Sequence, residues 1–347
     1  MTSKTYNVAL VGATGAVGQK IMHLLQDKQF PINEIKLLSS KRSAGKKMRF
    51  NNKEITVEEA NPESFSGIDI AFFSAGGAVS KKLAPEAVKH GAIVIDNTSA
   101  FRMAEDVPLI VPEVNADDLN DHQGIIANPN CSTIQMVVAL KPLLDAFGLS
   151  RLVVSTYQSV SGAGLEAIEE LKDQTKQYLN DEEMTANILP VGADKKHYPI
   201  AFNALPQIDV FEENGYTAEE MKMINETKKI MNSPHLSVAA TCVRLPVVTS
   251  HSESIYIEID QSDVTVEDIK QALTDADSVI LQDDPQSQTY PTPLNAVDQE
   301  EVFVGRIRKD LDNDQGFHLW VVCDNLMKGA ALNTVQIAET LVKRNLV

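Results

Sequence analysis

Gly12-Ala13-Thr14-Gly15-Ala16-Val17-Gly18 follows the short apolar run Val8 to Val11 and opens a segment, Ala16 to Gln26, with helical apolar spacing. Glycines at a strand-to-helix turn allow a tight bend and let a pyrophosphate approach the unpaired N–H groups of the helix N-terminus. The spacing G-x-x-G-x-x-G departs from the usual G-x-G-x-x-G, so a ligand-free glycine-rich turn stays open as an alternative. Outward from this turn the chain alternates strand and helix. Ile35 to Leu38, Ile68 to Phe73 and Ile93 to Ile95 read as buried strands, and Ser80 to Lys89 as a helix. Met48-Arg49-Phe50 and Ile55-Thr56-Val57 form an expected hairpin around a polar turn from Asn51 to Glu54. Such alternation predicts a parallel sheet with helices on both faces.

The end of the second strand reads Leu38-Ser39-Ser40-Lys41-Arg42-Ser43. An NAD site usually places Asp or Glu there for the ribose 2′-hydroxyl. Arg42, Ser40 and Ser43 instead suit a 2′-phosphate, which favours NADP; a solvated basic loop is the competing explanation.

After residue 130 the texture changes to strands with fewer helices between them: Leu152 to Gln158, Val238 to Val243, Ser254 to Ile259, Val302 to Ile307 and Leu319 to Val322. That predicts a second, α+β domain over 131–325, whose sheet could pack on a second subunit. Gln282 to Pro293 reads as a polar loop, and the chain closes with a helix over 326–347 expected to rejoin the first domain, 1–130. The 347 residues carry 31 Lys and Arg against 48 Asp and Glu, a net charge of -17. That acidity argues against nucleic acid and anionic membrane as partners, and an anionic substrate needs its own local cations. Three cysteines make no disulfide framework, and the N-terminal region shows no apolar signal segment, so a cytoplasmic location is expected. No metal site is expected.

Asn128-Pro129-Asn130-Cys131-Ser132-Thr133 places Cys131 where a loop gives way to the apolar segment Ile134 to Phe147, with Gly148 as its stop. The positive end of a helix dipole favours thiolate over thiol, making Cys131 a candidate nucleophile. Cys242 and Cys323 lie in apolar strand-like runs and read as structural. His251 is the candidate base, in Arg244-Leu245-Pro246-Val247-Val248-Thr249-Ser250-His251. Residues seven apart on a straight strand face opposite sides, so Arg244 and His251 can share a site only if the chain bends between them. Gln158 precedes a small-residue loop, Ser161 to Gly164, and Arg102 follows a strand end; each alone could be a solvated loop residue. Glu219 and Lys222 share a helix face, a spacing that equally suits a surface ion pair.

Six ordered motifs resemble the aspartate-β-semialdehyde dehydrogenases: GATGAVG at Gly12, SAFRM at Ser99, NPNCST at Asn128, QSVSGAG at Gln158, RLPVVTSHSES at Arg244 and NLMKGAALNTVQIAE at Asn325. The resemblance runs from the first strand to the last helix. It implies a Rossmann-type NADP-binding domain joined to an α+β catalytic and dimerisation domain. It also implies reduction of L-aspartyl-β-phosphate by NADPH to L-aspartate-β-semialdehyde, NADP and inorganic phosphate, on the route to lysine, methionine and threonine.

In that family's terms Cys131 forms an aspartyl thioester, His251 is the acid/base and Gln158 orients the intermediate. Arg244 holds the α-carboxylate, Glu219 rather than Glu220 takes the α-ammonium, and Arg102 and Lys222, with Asn130 close by, hold phosphate. Gly12, Thr14, Gly15, Ala16, Val17, Ser40, Arg42, Ser43, Ser161, Gly162 and Asn325 fall to NADP, and the nucleotide turn and Cys131 to one cleft. Family members are homodimers or dimers of dimers. N-acetyl-γ-glutamyl-phosphate reductase, malonyl-CoA reductase and a silent NADP-binding regulator are the rival readings.

Overall fold

The computed structural model describes residues 4–347; the first three residues of the expected first domain lie outside the described residues. The chain divides into two compact units, one made of the residues up to Asn130 together with Ala330–Val347, the other of Cys131–Gly329. Leu326 to Gly329, expected with the closing helix, thus belong to the second unit.

In the first unit, β1 (Tyr6–Val11), α1 (Ala16–Asp27) and β2 (Ile32–Ser39) are followed by a hairpin, β3 (Lys47–Phe50) and β4 (Lys53–Thr56). Its turn is tighter than expected. Asn51 and Asn52 both take left-handed φ, 45° and 62°, as a two-residue I′-type turn requires. Lys53 and Glu54 are therefore strand residues, and Val57 lies beyond the hairpin. Then come β5 (Glu58–Glu59), β6 (Ile70–Phe73), α2 (Gly77–Lys89), β7 (Ile93–Asp96), the short α3 (Pro112–Asn115) and β8 (Ile125–Ala127).

The six-stranded sheet runs β5-β2-β1-β6-β7-β8, with every pair parallel. Val8 to Val11 and Ile70 to Phe73 are wholly buried, as strands covered on both faces must be. The order reverses between β1 and β6, which opens a crevice at the carboxyl ends of the strands.

The second unit starts with α4 (Cys131–Phe147), apolar nearly all round and buried from Ser132 to Leu140 and at Leu143. A helix of that composition belongs in a core. Gly148, at φ 70°, ends it by donating its N–H to Leu144 O. Next are β9 (Arg151–Gln158), α5 (Leu165–Leu179), α6 (Ala218–Ile230), β10 (Ser237–Arg244), β11 (His251–Glu258), α7 (Val266–Thr274), β12 (Val279–Leu281), α8 (Pro293–Ala296), β13 (Val302–Lys309) and β14 (Gly316–Cys323).

The mixed sheet runs β10-β9-β11-β14-β13-β12; α4, α6 and α7 pack against it, and α6 and α7 also pack against α4. Its other face leaves Val153, Ser155, Tyr157, Ser254, Tyr256 and Trp320 half-buried. β11 begins three residues before the expected Ser254, because His251, Ser252 and Glu253 are polar yet buried. The polar loop from Gln282 ends where α8 starts at Pro293.

Strand direction sets up the site. β11 is antiparallel to β9 and β14, and β9 is parallel to β10. The first residue of β11 therefore lies at the same sheet edge as the last residues of β9, β10 and β14.

The closing segment is not one continuous α-helix. Met327–Ala331 makes a π turn, and α9 (Leu332–Arg344) follows within the first unit, on α1 and β7. Asn333 Nδ2 donates to Ile110 O at 2.9 Å and Asn128 Oδ1 at 2.7 Å. Among the described residues no helix is long and apolar enough to cross a membrane.

Candidate active site

In the first unit the glycine-rich turn lies at the reversal point of the sheet. Gly12 N donates to Leu38 O and Ser74 N to Val11 O, each at 2.8 Å, which clamps the turn between β2 and β6. Gly12 has φ 88°, and a Cβ there would meet Ser74 O at 2.4 Å; one on Gly18 would meet Gly12 O at 2.2 Å. Only bare backbone fits at both positions.

Gly15 caps α1 without a side-chain hydrogen bond, and the first turn holds no acidic residue, so Ala16 and Val17 present backbone N–H groups in a positive dipole field. Thr14 Oγ1 lies 3.1 Å from Ser39 Oγ, a neighbour the sequence did not single out. Ser43 is buried, its N–H on Ser40 O, while Ser40, Lys41 and Arg42 are exposed. A glycine cradle, an uncapped helix start and the exposed Arg42 just past the end of β2 could hold a dinucleotide.

Arg102 is buried in the same unit, donating from Nε to Asn128 O at 3.0 Å and from Nη2 to Asn97 O at 2.9 Å. Asn130, also buried, closes the unit's main segment.

In the second unit the sheet edge collects the remaining side chains. Cys131 is the first residue of α4 and partly exposed. Its Sγ lies 3.3 Å from His251 Nε2. Cys242 and Cys323 are fully buried, and burial pushes both thiols up, with nearby carboxylates adding to the effect. Arg244 ends β10 and His251 begins β11, so the two occupy adjoining elements, not one bent strand. Ser250, at φ 74°, helps turn the connection. Arg244 Nη1 donates to Ser159 O at 2.8 Å; burial lowers its pKa, and Glu219 opposes that effect. Gly162 covers both groups: a Cβ there would lie 3.0 Å from Arg244 Nη1 and 3.3 Å from His251 Cε1.

Glu219 and Glu220 separate cleanly. Glu220 closes the capping box of α6 with Thr217 and accepts from Cys242 N. Glu219 points the other way. Its Oε1 accepts from Ser132 Oγ at 3.1 Å and Gln158 Nε2 at 3.0 Å, and Lys222 Nζ lies 3.3 Å from Oε2. Lys222 also donates to Asp209 at 2.8 Å. Asn325, just beyond β14, is buried: its Oδ1 accepts from Ser250 N at 2.9 Å and from Ser159 Oγ and Ser161 Oγ, each at 3.1 Å.

The second unit thus brings together Cys131, His251, Gln158, Glu219, Lys222 and Arg244, with Gly162 against the imidazole and Ser161 and Asn325 linked to it through Ser159. Arg102, Asn130 and the turn residues belong to the first unit.

Sequence reasoning passed over Ser159, Ser132, Asp209 and Gly329. Ser159, Ser132 and Gly329 stand inside quoted motifs, which was the available signal; Asp209 offered none. A Cβ at Gly329 would come within 2.9 Å of the Cys131 Cβ, so the π turn supports the thiol directly.

His251 is fully buried and its pKa is lowered to about 3, chiefly by burial and then by Arg244, with Glu219 and the Ser250 carbonyl opposing. Two residues along β11, Glu253 is equally buried, and neither oxygen has a hydrogen-bond partner. Burial raises its pKa well above the usual carboxylate range, against a weaker pull from Gln135.

Comparison with known proteins gives the chain its relatives. The profile of the semialdehyde dehydrogenase NAD-binding domain matches residues 7–122, and that of the semialdehyde dehydrogenase dimerisation domain matches residues 140–328. Aspartate-semialdehyde dehydrogenase of Bacillus subtilis (strain 168) is 67% identical over 98% of this chain and 99% of its own. The crystal structure of aspartate semialdehyde dehydrogenase II from Vibrio cholerae complexed with ASA is similar at TM-score 0.93 and 47% identity, covering 98% and 99% of the two chains. That of the Candida albicans enzyme with NADP is similar at TM-score 0.75 and 27% identity, over 99% and 100%.

Proposed function

The chain belongs to the aspartate-semialdehyde dehydrogenase family, and from that premise we propose that it uses Cys131 as the nucleophile of the family's reaction. It converts L-aspartyl-β-phosphate to L-aspartate-β-semialdehyde in the biosynthesis of lysine, methionine and threonine. The observation that carries the assignment is the 3.3 Å approach of Cys131 Sγ to His251 Nε2 at a helix start, beside one buried guanidinium and one buried carboxylate.

Attack of the Cys131 sulfur on the acyl phosphate forms a C–S bond and expels phosphate, leaving an aspartyl thioester. NADPH, when bound, supplies the hydride that reduces it. Arg244 offers a planar fork to the substrate α-carboxylate. Glu219, on the same side of the thiol, takes the α-ammonium, and Gln158, tied to Glu219, orients the acyl group. Lys222 meets the phosphate by exchanging Asp209 for it.

Thr14, Gly15, Ala16 and Val17 offer backbone to the pyrophosphate, and Arg42, Ser40 and Ser43 favour NADP over NAD. The half-buried face of the mixed sheet, with Tyr157 and Trp320 in contact at 5.5 Å between ring centroids, takes a second copy of the chain to make a homodimer or a dimer of dimers. A cytoplasmic setting suits a working thiol and reduced nucleotide.

The test is nucleotide reduction by L-aspartate-β-semialdehyde with and without inorganic phosphate, using NADP and NAD in parallel. Phosphate-dependent turnover faster with NADP is expected. Well-folded protein with no turnover would overturn the substrate assignment, and equal rates with NAD would overturn the cofactor preference.

A further inference from the structure

Inward from the thiol and the imidazole lies a second pair of side chains drawn from the same two elements. Gln135 follows Cys131 by four residues on α4, and Glu253 follows His251 by two on β11, so each shares its predecessor's face. A helix advances about 6 Å over four residues, and a strand about 6.6 Å over two. The steps match. The 3.3 Å approach of Cys131 Sγ to His251 Nε2 therefore recurs one rung deeper, where Gln135 is close enough to act on the Glu253 carboxyl. Cys323, opposite His251 in the ladder, feels both the Cys131 thiol and that carboxyl.

Gln135 and Glu253 are fully buried, and no polar atom of either side chain has a hydrogen-bond partner. An ionised carboxylate would be stranded here. It only accepts, so Gln135 Nε2 could serve it while Gln135 Oε1 stayed orphaned. A carboxyl that keeps its proton complements a primary amide: its O–H donates to Gln135 Oε1 and its C=O accepts from Gln135 Nε2. One proton then gives all four atoms a partner. The ionisable groups around the carboxyl agree with that. They are Glu219 of α6, Cys242 of β10, Cys323 of β14, Cys131 of α4 and His251 on its own strand. None of them is a cation at neutral pH, because burial keeps the imidazole unprotonated.

We propose that Glu253 is a positioning residue for the thiol chemistry: as a neutral acid it pairs with Gln135, which holds the first turn of α4 in register with the start of β11 and keeps negative charge away from the Cys131 thiolate. This rests on the reading of Cys131 as nucleophile and leaves His251 as its acid/base. A carboxylate one rung beneath the sulfur would oppose the thiolate, and an unpaired rung would loosen the contact between Cys131 and His251.

The test uses the full-length protein. At neutral pH the infrared difference spectrum between the parent and Glu253→Gln should contain the C=O stretch of a protonated carboxyl. Carboxylate bands in its place would overturn the proposal. Glu253→Leu strands the Gln135 amide; kcat should fall about tenfold at little change in KM, and the pH profile of Cys131 alkylation should move to higher pH. Glu253→Gln pairs amide with amide and should restore the profile, with kcat within about twofold of the parent. A glutamine variant as impaired as the leucine one would overturn the neutral pair. A leucine variant with the parent's kcat and profile would reduce the rung to packing and overturn the positioning role. If Glu253→Leu does not fold, Gln135→Leu breaks the rung from the other side and is read in the same way. Full phosphate-dependent turnover after complete alkylation of Cys131 would sink the reading of the nucleophile itself, an outcome that leaves the infrared result untouched.

Discussion

The two sheets of this protein both gather function at one edge, but with different parts of the chain. The parallel sheet of the first unit offers backbone: two glycines with no room for a Cβ and a helix start without a side-chain cap. The mixed sheet of the second unit offers side chains drawn from the ends of three strands and the first turns of two helices. A backbone cradle is written in one contiguous stretch, because neighbouring residues build it. A side-chain constellation is assembled only when antiparallel β11 returns to the edge where β9 and β10 finish.

Removing the nucleophile is the strongest way to break the comparison. Cys131→Ala should cost at least about 10³-fold in kcat yet leave NADPH affinity, titrated by fluorescence, near the parent value. Lost nucleotide binding would mean the two chemistries are not separable. Arg244→Lys keeps the charge and loses the fork. We expect kcat/KM for the semialdehyde to fall about 10²-fold, mostly through KM, as read from steady-state kinetics; an unchanged KM would remove Arg244 from substrate recognition.

Gly18→Ala probes the backbone side. In an open helix this change stabilises by about 1 kcal/mol, but here the added carbon meets Gly12 O at 2.2 Å. The variant should lose about 1–3 kcal/mol instead and bind NADPH more weakly, as judged by thermal unfolding with and without nucleotide. A stabilised variant would show that the turn yields freely.

The smallest effect tests the buried pair His251 and Glu253, which pull stability in opposite directions with pH. The folded pKa of Glu253 is raised above 4.5, so above that pH the unfolded chain has lost a proton the native state keeps. Its stabilising contribution is complete below the unfolded value and is lost as pH rises toward the folded one. Glu253→Gln should therefore gain on the parent by up to about 1.4 kcal/mol per pH unit across that window, measured by urea unfolding at about pH 5 and about pH 8. A difference independent of pH would mean Glu253 is ionised in the native state. His251 works the other way. Unfolded, its ring takes a proton below 6.5, and folded only near 3, so its contribution is lost as pH falls between those values.

Much of the fold was legible where local rules act alone. Alternating strand and helix up to Ile95, the glycine turn and the apolar helix through Ile134 to Phe147, stopped by Gly148, all follow from spacing and stop signals. The misread places share a cause in tertiary burial or in close turn geometry. Asn51 and Asn52 suffice for a turn because each tolerates a left-handed conformation. The start of β11 hides because three buried polar residues do not look like a strand. In the site, Cys131 stood out by its helix-start context. Glu219 could not be told from Glu220 by helical phase with any force, and what separates them is that Thr217 claims Glu220 for the cap. Ser159 carried no mark of its own, because its amide meets His251 Nδ1 only once β9 and β11 are paired.

The sequence by itself determined the alternation that makes the first unit, the glycine cradle, the position of Cys131 at a helix start and a family resemblance running the length of the chain. These depend on residues close along the chain, where spacing and propensity are enough. Only the tertiary structure decided that Arg244 and His251 meet from separate strands, that Lys222 is held by Asp209, and that His251 faces an amide donor. Those facts depend on strand direction and peptide orientation, and both arise from long-range pairing that no local stretch encodes.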